Sequence, residues 1–121
     1  MIAEYAPLVH GFDSFEGLPE HWRPGWDKGH FALSALPQVK PNVTLHVGGF
    51  EQTLPGFCAQ HGDNLAFLHF DGDLYSSAKT VLAHLGPRIV PGTVIQFDDY
   101  LNYPGWIHGE HRAFTEFVEA P

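Results

Sequence analysis

Four short apolar runs, separated by polar and glycine-rich segments, dominate the pattern of this chain. They occupy residues 7–12, 42–47, 64–70 and 92–97. Each run is bounded by Gly, Pro, Asn or Asp, which is typical of buried β-strands between turns. We therefore predict four strands.

Helical spacing of apolar residues marks three further segments, at residues 51–61, 74–85 and 109–119. The clearest is the middle one, where Val81, Leu82 and Leu85 form a stripe that ends at a Gly-Pro pair. In the last segment, the residues predicted to face inward are Ala113, Phe114, Phe117 and Val118. Strands that alternate with helices indicate crossover connections and a mostly parallel sheet with flanking helices, an α/β fold.

Residues 16–41 break this alternation, since they are rich in Gly, Pro and Trp. We interpret them as a long loop that holds at most one short helix. Loops of this length are uncommon in compact domains and often serve as lids or binding segments.

Composition narrows the class of protein. A chain of 121 residues with 44% hydrophobic residues is expected to form a single globular domain, here residues 1–121. The net charge of -8, with only six Lys plus Arg, argues against nucleic acid and anionic membrane surfaces as partners. With Cys58 as the only cysteine, no intramolecular disulfide can form, which favours a reducing, cytoplasmic compartment.

Two acidic clusters follow the last two apolar runs directly. Asp71 and Asp73 come after the third run, and Asp98 and Asp99 come after the fourth. Ligands bind at the carboxyl ends of strands in open α/β sheets, and oxygen ligands suit a hard divalent cation. We therefore predict a metal site at Asp71, Asp98 and Asp99, whereas Asp73 is expected to cap the following helix.

Asp13 ends the first predicted strand, and it supports two interpretations. An acidic residue at such a position accepts hydrogen bonds from a ribose in nucleotide-binding folds. Alternatively, Asp13 with Ser14 forms a turn in which the side chain bonds its own backbone.

A second metal hypothesis comes from the histidines. His69 and Asp71 match half of a two-histidine, one-carboxylate iron site, with His108 or His111 as the third ligand. The spacing is short and common by chance, and the strand–helix alternation disfavours the all-β barrels in which such iron chemistry usually lies.

Four segments, taken in order, resemble the macrocin O-methyltransferase family of class I methyltransferases. They are Gly11-Phe12-Asp13-Ser14-Phe15-Glu16-Gly17-Leu18-Pro19, Thr53-Leu54-Pro55, Leu68-His69-Phe70-Asp71-Gly72-Asp73-Leu74-Tyr75-Ser76-Ser77 and Pro91-Gly92-Thr93-Val94-Ile95-Gln96-Phe97-Asp98-Asp99-Tyr100.

The resemblance implies a partial Rossmann-like fold and a transfer of methyl from S-adenosylmethionine to a hydroxyl of a sugar or other small-molecule acceptor. It implies Mg²⁺ at the three predicted ligands, with Asp71 also acting as general base. On the cofactor side it implies Asp13 and Ser14 near the ribose and Gly49 and Phe50 near the adenine.

One departure from the family pattern concerns the Gly-rich cofactor loop, which family members carry ahead of the segment at Gly11. The ten residues before Gly11 contain no glycine. We therefore expect the C-terminal part of the family fold, either as a partial enzyme or as a non-catalytic remnant or subunit that has lost cofactor binding. A sheet without its first strand exposes edges, so we also expect a homo-oligomer or a partner chain that completes the sheet.

Overall fold

The computed structural model describes residues 2–121 and consists of four strands, three α-helices and short 3₁₀ turns. The strands are β1 (Val9–Asp13), β2 (Val43–Val47), β3 (Phe67–Phe70) and β4 (Val94–Phe97). The helices are α1 (Phe50–Gln60), α2 (Tyr75–Leu85) and α3 (Glu110–Glu119). All seven elements lie where the apolar pattern predicts them, and most bounds agree within two residues.

Two compact units divide the chain, at residues 1–53 and 54–121. The first unit contains a sheet in which β1 pairs with β2, and the second contains a sheet in which β3 pairs with β4. Both pairings are parallel. The predicted α/β class with parallel strands is thus confirmed.

The first unit is held by its strand pair and by a self-packed loop. The Asn42 side chain donates to the backbone carbonyls of Ala3 and Ala6, which ties the segment before β1 to the start of β2. In the predicted loop at 16–41, Leu18 is buried and its amide donates to the His30 carbonyl. The loop contains turns and no helix among its residues, and its role as a lid stays a prediction.

The second unit has its core between β3, α2 and α3. Buried side chains on α2 include the predicted stripe Val81, Leu82 and Leu85, and Ala113 of α3 is also buried. Val118 was wrongly predicted to face inward, since 58% of its surface is exposed. The inward face of α3 starts instead at Glu110, which is 0% exposed.

One face of the β3–β4 sheet is open within the second unit. Phe67 pairs with Val94 and His69 with Gln96, and all four side chains are exposed on the same face. Phe67 is 39% and Val94 57% exposed. Parallel sheets are normally covered on both faces.

We predict that the 121-residue chain self-associates, because burial of Phe67 and Val94 is favourable. Sedimentation over a micromolar concentration series should show species heavier than a monomer, and Val94→Lys should shift the distribution toward the monomer. A parent chain that stays monomeric, with a melt independent of concentration, would contradict this.

Candidate functional site

The acidic clusters meet because β3 and β4 end at the same level. Phe70 and Phe97, the last residues of the two strands, are register partners, and the Asp98 amide donates to the Phe70 carbonyl at 3.0 Å. Asp71 and Asp98 therefore leave the sheet side by side. The sequence predicts this convergence correctly, because parallel strands direct both carboxyl ends to one edge.

Two overlapping groups of potential ligands form at this edge. In one, oxygens of Asp71, Asp73 and Asp99 lie within 4.8 Å of one another. In the other, Asp71 and Asp98 join His69 within the same limit. Asp71 belongs to both groups, whereas the other two predicted ligands are divided between them, Asp98 with His69 and Asp99 with Asp73.

Asp73 does not cap α2, contrary to the prediction. Leu74 occupies the N-cap position and makes no side-chain capping bond. Asp73 instead has a φ of 64°, is only 9% exposed, and has a carboxyl oxygen within 4.8 Å of those of Asp71 and Asp99. The backbone after Gly72 turns this side chain toward the other carboxylates instead of along the helix axis.

Like charges in a poorly solvated place shift the titration of these groups. Burial, and then the hydrogen bond and charge of Asp99, raise the pKa of Asp73 to about 7. Burial is also the main cause that raises the pKa of Asp71, followed by the charges of Asp98 and Asp99. A carboxylate with a raised pKa is a stronger base than an ordinary aspartate, and it gains most from a bound cation.

Glu110 lies beneath the cluster, and the sequence analysis missed it. Its Oε2 accepts from the Asp99 amide at 3.2 Å, whereas its buried Oε1 has no hydrogen-bond partner among the described residues. Burial, followed by the charge of Asp99, raises its pKa to about 8. A glutamate at a helix start is ordinarily taken for an exposed residue that complements the helix dipole, so the sequence carried no signal of its burial.

The alternative iron site is only half formed. His69 Nε2 lies 4.0 Å from Asp98 Oδ1, close to Asp71. His108 and His111, in contrast, join neither ligand group within residues 2–121. His111 packs against the rings of Tyr100 and Trp106.

The predicted cofactor residues all lie in the first unit. Asp13 Oδ1 accepts from the Phe15 amide at 2.9 Å, and Ser14 Oγ accepts from the Glu16 amide. The turn interpretation of this pair is therefore realised. Ser14 and Gly49 also line a cavity of about 260 Å³. Phe50, which follows Gly49 in the sequence, is the first residue of α1.

Comparison with protein-family models identifies the family of this chain. The family model of macrocin-O-methyltransferase (TylF) matches residues 5–120. The chain belongs to this family.

Named relatives are similar over part of their length. The chain is 37% identical to an 8-demethyl-8-(2,3-dimethoxy-alpha-L-rhamnosyl)-tetracenomycin-C 4'-O-methyltransferase of Streptomyces olivaceus, with 73% of this chain and 40% of the relative covered. It is 32% identical to the demethyldecarbamoylnovobiocin O-methyltransferase of Streptomyces niveus, with 76% and 41% covered. The chain thus spans less than half the length of these two relatives.

Among solved structures, the calicheamicin methyltransferase CalS11 superposes with a TM-score of 0.74 at 27% identity. The match covers 93% of this chain and 53% of CalS11. A methyltransferase fold is therefore shared over nearly all of this macrocin O-methyltransferase family member, and the partial Rossmann-like fold is confirmed. No helix among residues 2–121 is long and apolar enough to cross a membrane.

The raised pKa of Asp73 gives a pH dependence with a definite sign. Below pH 3.8, the ordinary pKa of an aspartate, Asp73 is protonated in both the folded and the unfolded chain. Its ionisation therefore does not change the free energy of unfolding there. Between pH ~4 and ~7 only the unfolded chain loses the proton, so the free energy of unfolding decreases as the pH rises.

Asp73→Asn should therefore raise the melting temperature more at pH 8 than at pH 5, measured by circular dichroism in a chelating buffer. Asn also tolerates a positive φ, so the backbone is preserved. Asp63→Asn, at an exposed position of the same unit, is the control and should shift the melt equally at both pH values. Equal shifts for Asp73→Asn would show that Asp73 ionises normally.

Proposed function

We propose that this chain forms the acidic, acceptor-activating part of an S-adenosylmethionine-dependent O-methyltransferase that requires Mg²⁺. The observation that supports the proposal is that Asp71, Asp98 and Asp99 follow the paired ends of β3 and β4, with Asp71 in contact range of both other carboxylates, in a member of this family. The acceptor is a hydroxyl of a sugar or another secondary metabolite. The printed names of the relatives support this class, since one acts on a rhamnosyl group.

The chemistry of the donor set fits Mg²⁺. Every proposed ligand offers a carboxylate oxygen, which hard cations prefer over nitrogen or sulfur. Burial, and then the neighbouring carboxylates, raise the pKa of Asp71 and of Asp73, and a bound cation would offset both effects. Asp71, Asp98 and Asp99 would hold the ion, with Asp73 as a fourth oxygen ligand at the same edge.

The residues of this chain perform the acceptor half of the reaction. The metal, when bound, lowers the pKa of the acceptor hydroxyl and stabilises the developing alkoxide. Asp71 accepts the hydroxyl proton as general base. The carboxylates also fix the direction of the oxygen, which matters because methyl transfer is an in-line displacement.

The first unit supplies contacts to the cofactor. We assign Asp13 and Ser14 to the ribose and Gly49 and Phe50 to the adenine. The bond from the Phe15 amide to Asp13 Oδ1 supports this assignment, because it fixes the orientation of the carboxylate that would receive the ribose hydroxyls. The cavity beside Ser14 and Gly49 supports it as well.

Replacement of Asp98 and Asp99 together by Asn should abolish Mg²⁺ binding, as measured by isothermal titration calorimetry at pH 7.5. The reason is that two of the anionic ligands are lost while their shape is retained. The control is Asp63→Asn combined with Glu119→Gln, which removes two exposed charges from the same unit and should bind as the parent does. A double Asn variant that binds Mg²⁺ like the parent would move the site elsewhere.

S-adenosylmethionine should bind this chain only weakly, with little or no turnover. Within the 121-residue polypeptide to be titrated, the ten residues before Gly11 hold no glycine that could approach the methionine end of the cofactor. A calorimetric titration with S-adenosylmethionine, in the presence of Mg²⁺, measures this. Tight binding would contradict the expectation, and Mg²⁺ binding without any cofactor binding would favour a non-catalytic methyltransferase-like subunit.

A further inference from the structure

Glu110 is the one charged side chain of α3 that is completely buried. Burial of an ionisable group is costly, and an apolar residue would fill the same space without that cost. One of its carboxyl oxygens, Oε1, is also buried without a hydrogen-bond partner in the described part of the chain. Core packing alone therefore does not explain a glutamate at this place.

The Glu110 carboxyl group contacts one of the two acidic loops directly. Its Oε2 accepts from the amide of Asp99 at 3.2 Å, in the loop that follows β4. Asp99 in turn shares a ligand group with Asp71 and Asp73, from the loop that follows β3. One side chain from α3 thus binds the backbone of a proposed metal ligand from the buried side.

The surroundings of Asp99 show why such a bond is needed. Carboxyl oxygens of Asp71, Asp73 and Asp99 lie within 4.8 Å of one another, and like charges at this distance favour separation. The Glu110 carboxyl holds the Asp99 backbone from the buried side, so the Asp99 oxygens stay at the open edge.

We propose that Glu110 is a positioning residue that holds the Asp98–Asp99 loop in the geometry that binds the metal. It does not itself ligate the ion, because it belongs to neither ligand group at the open edge and its Oε2 is bonded to the Asp99 amide. This inference rests on the metal site of the proposed function, and it assigns the preorganisation of that site to a residue outside it.

The test compares Glu110→Leu, which keeps the volume and removes the acceptor, with Glu110→Gln, which keeps an acceptor oxygen. Two measurements are made on each full-length variant. Mn²⁺ binding is followed by electron paramagnetic resonance at pH 7.5, and exchange of the Asp99 amide hydrogen is followed by NMR without any metal. Glu119→Gln, an exposed position on the same helix, is the matched control for the loss of charge.

Glu110→Leu is expected to remain folded, to weaken Mn²⁺ binding about 10-fold, and to speed exchange of the Asp99 amide about 10-fold, as for loss of one buried hydrogen bond. Glu110→Gln should stay within about threefold of the parent in both measurements, because the amide oxygen replaces Oε2. The control should match the parent. Rescue by Gln separates positioning from a need for negative charge.

Several results would overturn the inference. If Glu110→Leu binds Mn²⁺ like the parent, or leaves exchange of the Asp99 amide unchanged, Glu110 does not position the Asp98–Asp99 loop. Either result leaves the proposed metal site itself standing. If both Glu110 variants fail to fold, the residue is structural and the inference is wrong. If the parent itself binds no Mn²⁺, the proposed metal function fails, and with it the positioning of a metal site, even where the Asp99 amide shows that Glu110 holds the loop.

Discussion

The parallel pairing of β3 with β4 is the constraint on which the candidate site depends. Register partnership between Phe70 and Phe97 ends both strands at one level, so the chain delivers carboxylates from two loops into the same small volume. In an unfolded chain these carboxylates would move apart, but the paired strands hold them close together. The consequences are visible in the raised pKa values of Asp71 and Asp73. A cation is the simplest means by which the folded chain relieves this repulsion.

Two glutamates of helix α3 lie in opposite electrostatic environments. On its buried side, Glu110 accepts from the Asp99 amide, and burial, followed by the charge of Asp99, raises its pKa to about 8. On its open side, Glu116 accepts from Tyr75, Lys79 and Arg112, and its pKa falls to about 2. The second arrangement is an ordinary surface network, whose contribution to stability is small. The first concentrates unfavourable charge where the proposed chemistry takes place, as is common at functional sites.

The first unit illustrates how a local turn and a binding role can coincide. The Asp13 carboxylate and the Ser14 hydroxyl both accept backbone amides of the next residues, as turn-forming side chains do. These bonds fix side chains that the family resemblance places near the ribose. The turn interpretation and the cofactor interpretation, which began as alternatives, are therefore compatible in one structure.

Local pattern determined much of this protein. Apolar runs and helical stripes located all seven elements, because burial sets their periodicity, and the order of the elements implied parallel strands. The same reasoning placed Asp71, Asp98 and Asp99 at one edge, and the joined motifs identified the family. Only the tertiary structure decided the roles of Asp73 and Glu110. Sequence rules assign both to helix termini, where an acidic side chain normally caps the helix or faces water. Here the positive φ of Asp73 turns it to the cluster, and the packing of α3 buries Glu110 beneath it. Backbone direction and long-range packing determine such positions, and neither is encoded in the residues next to them along the chain.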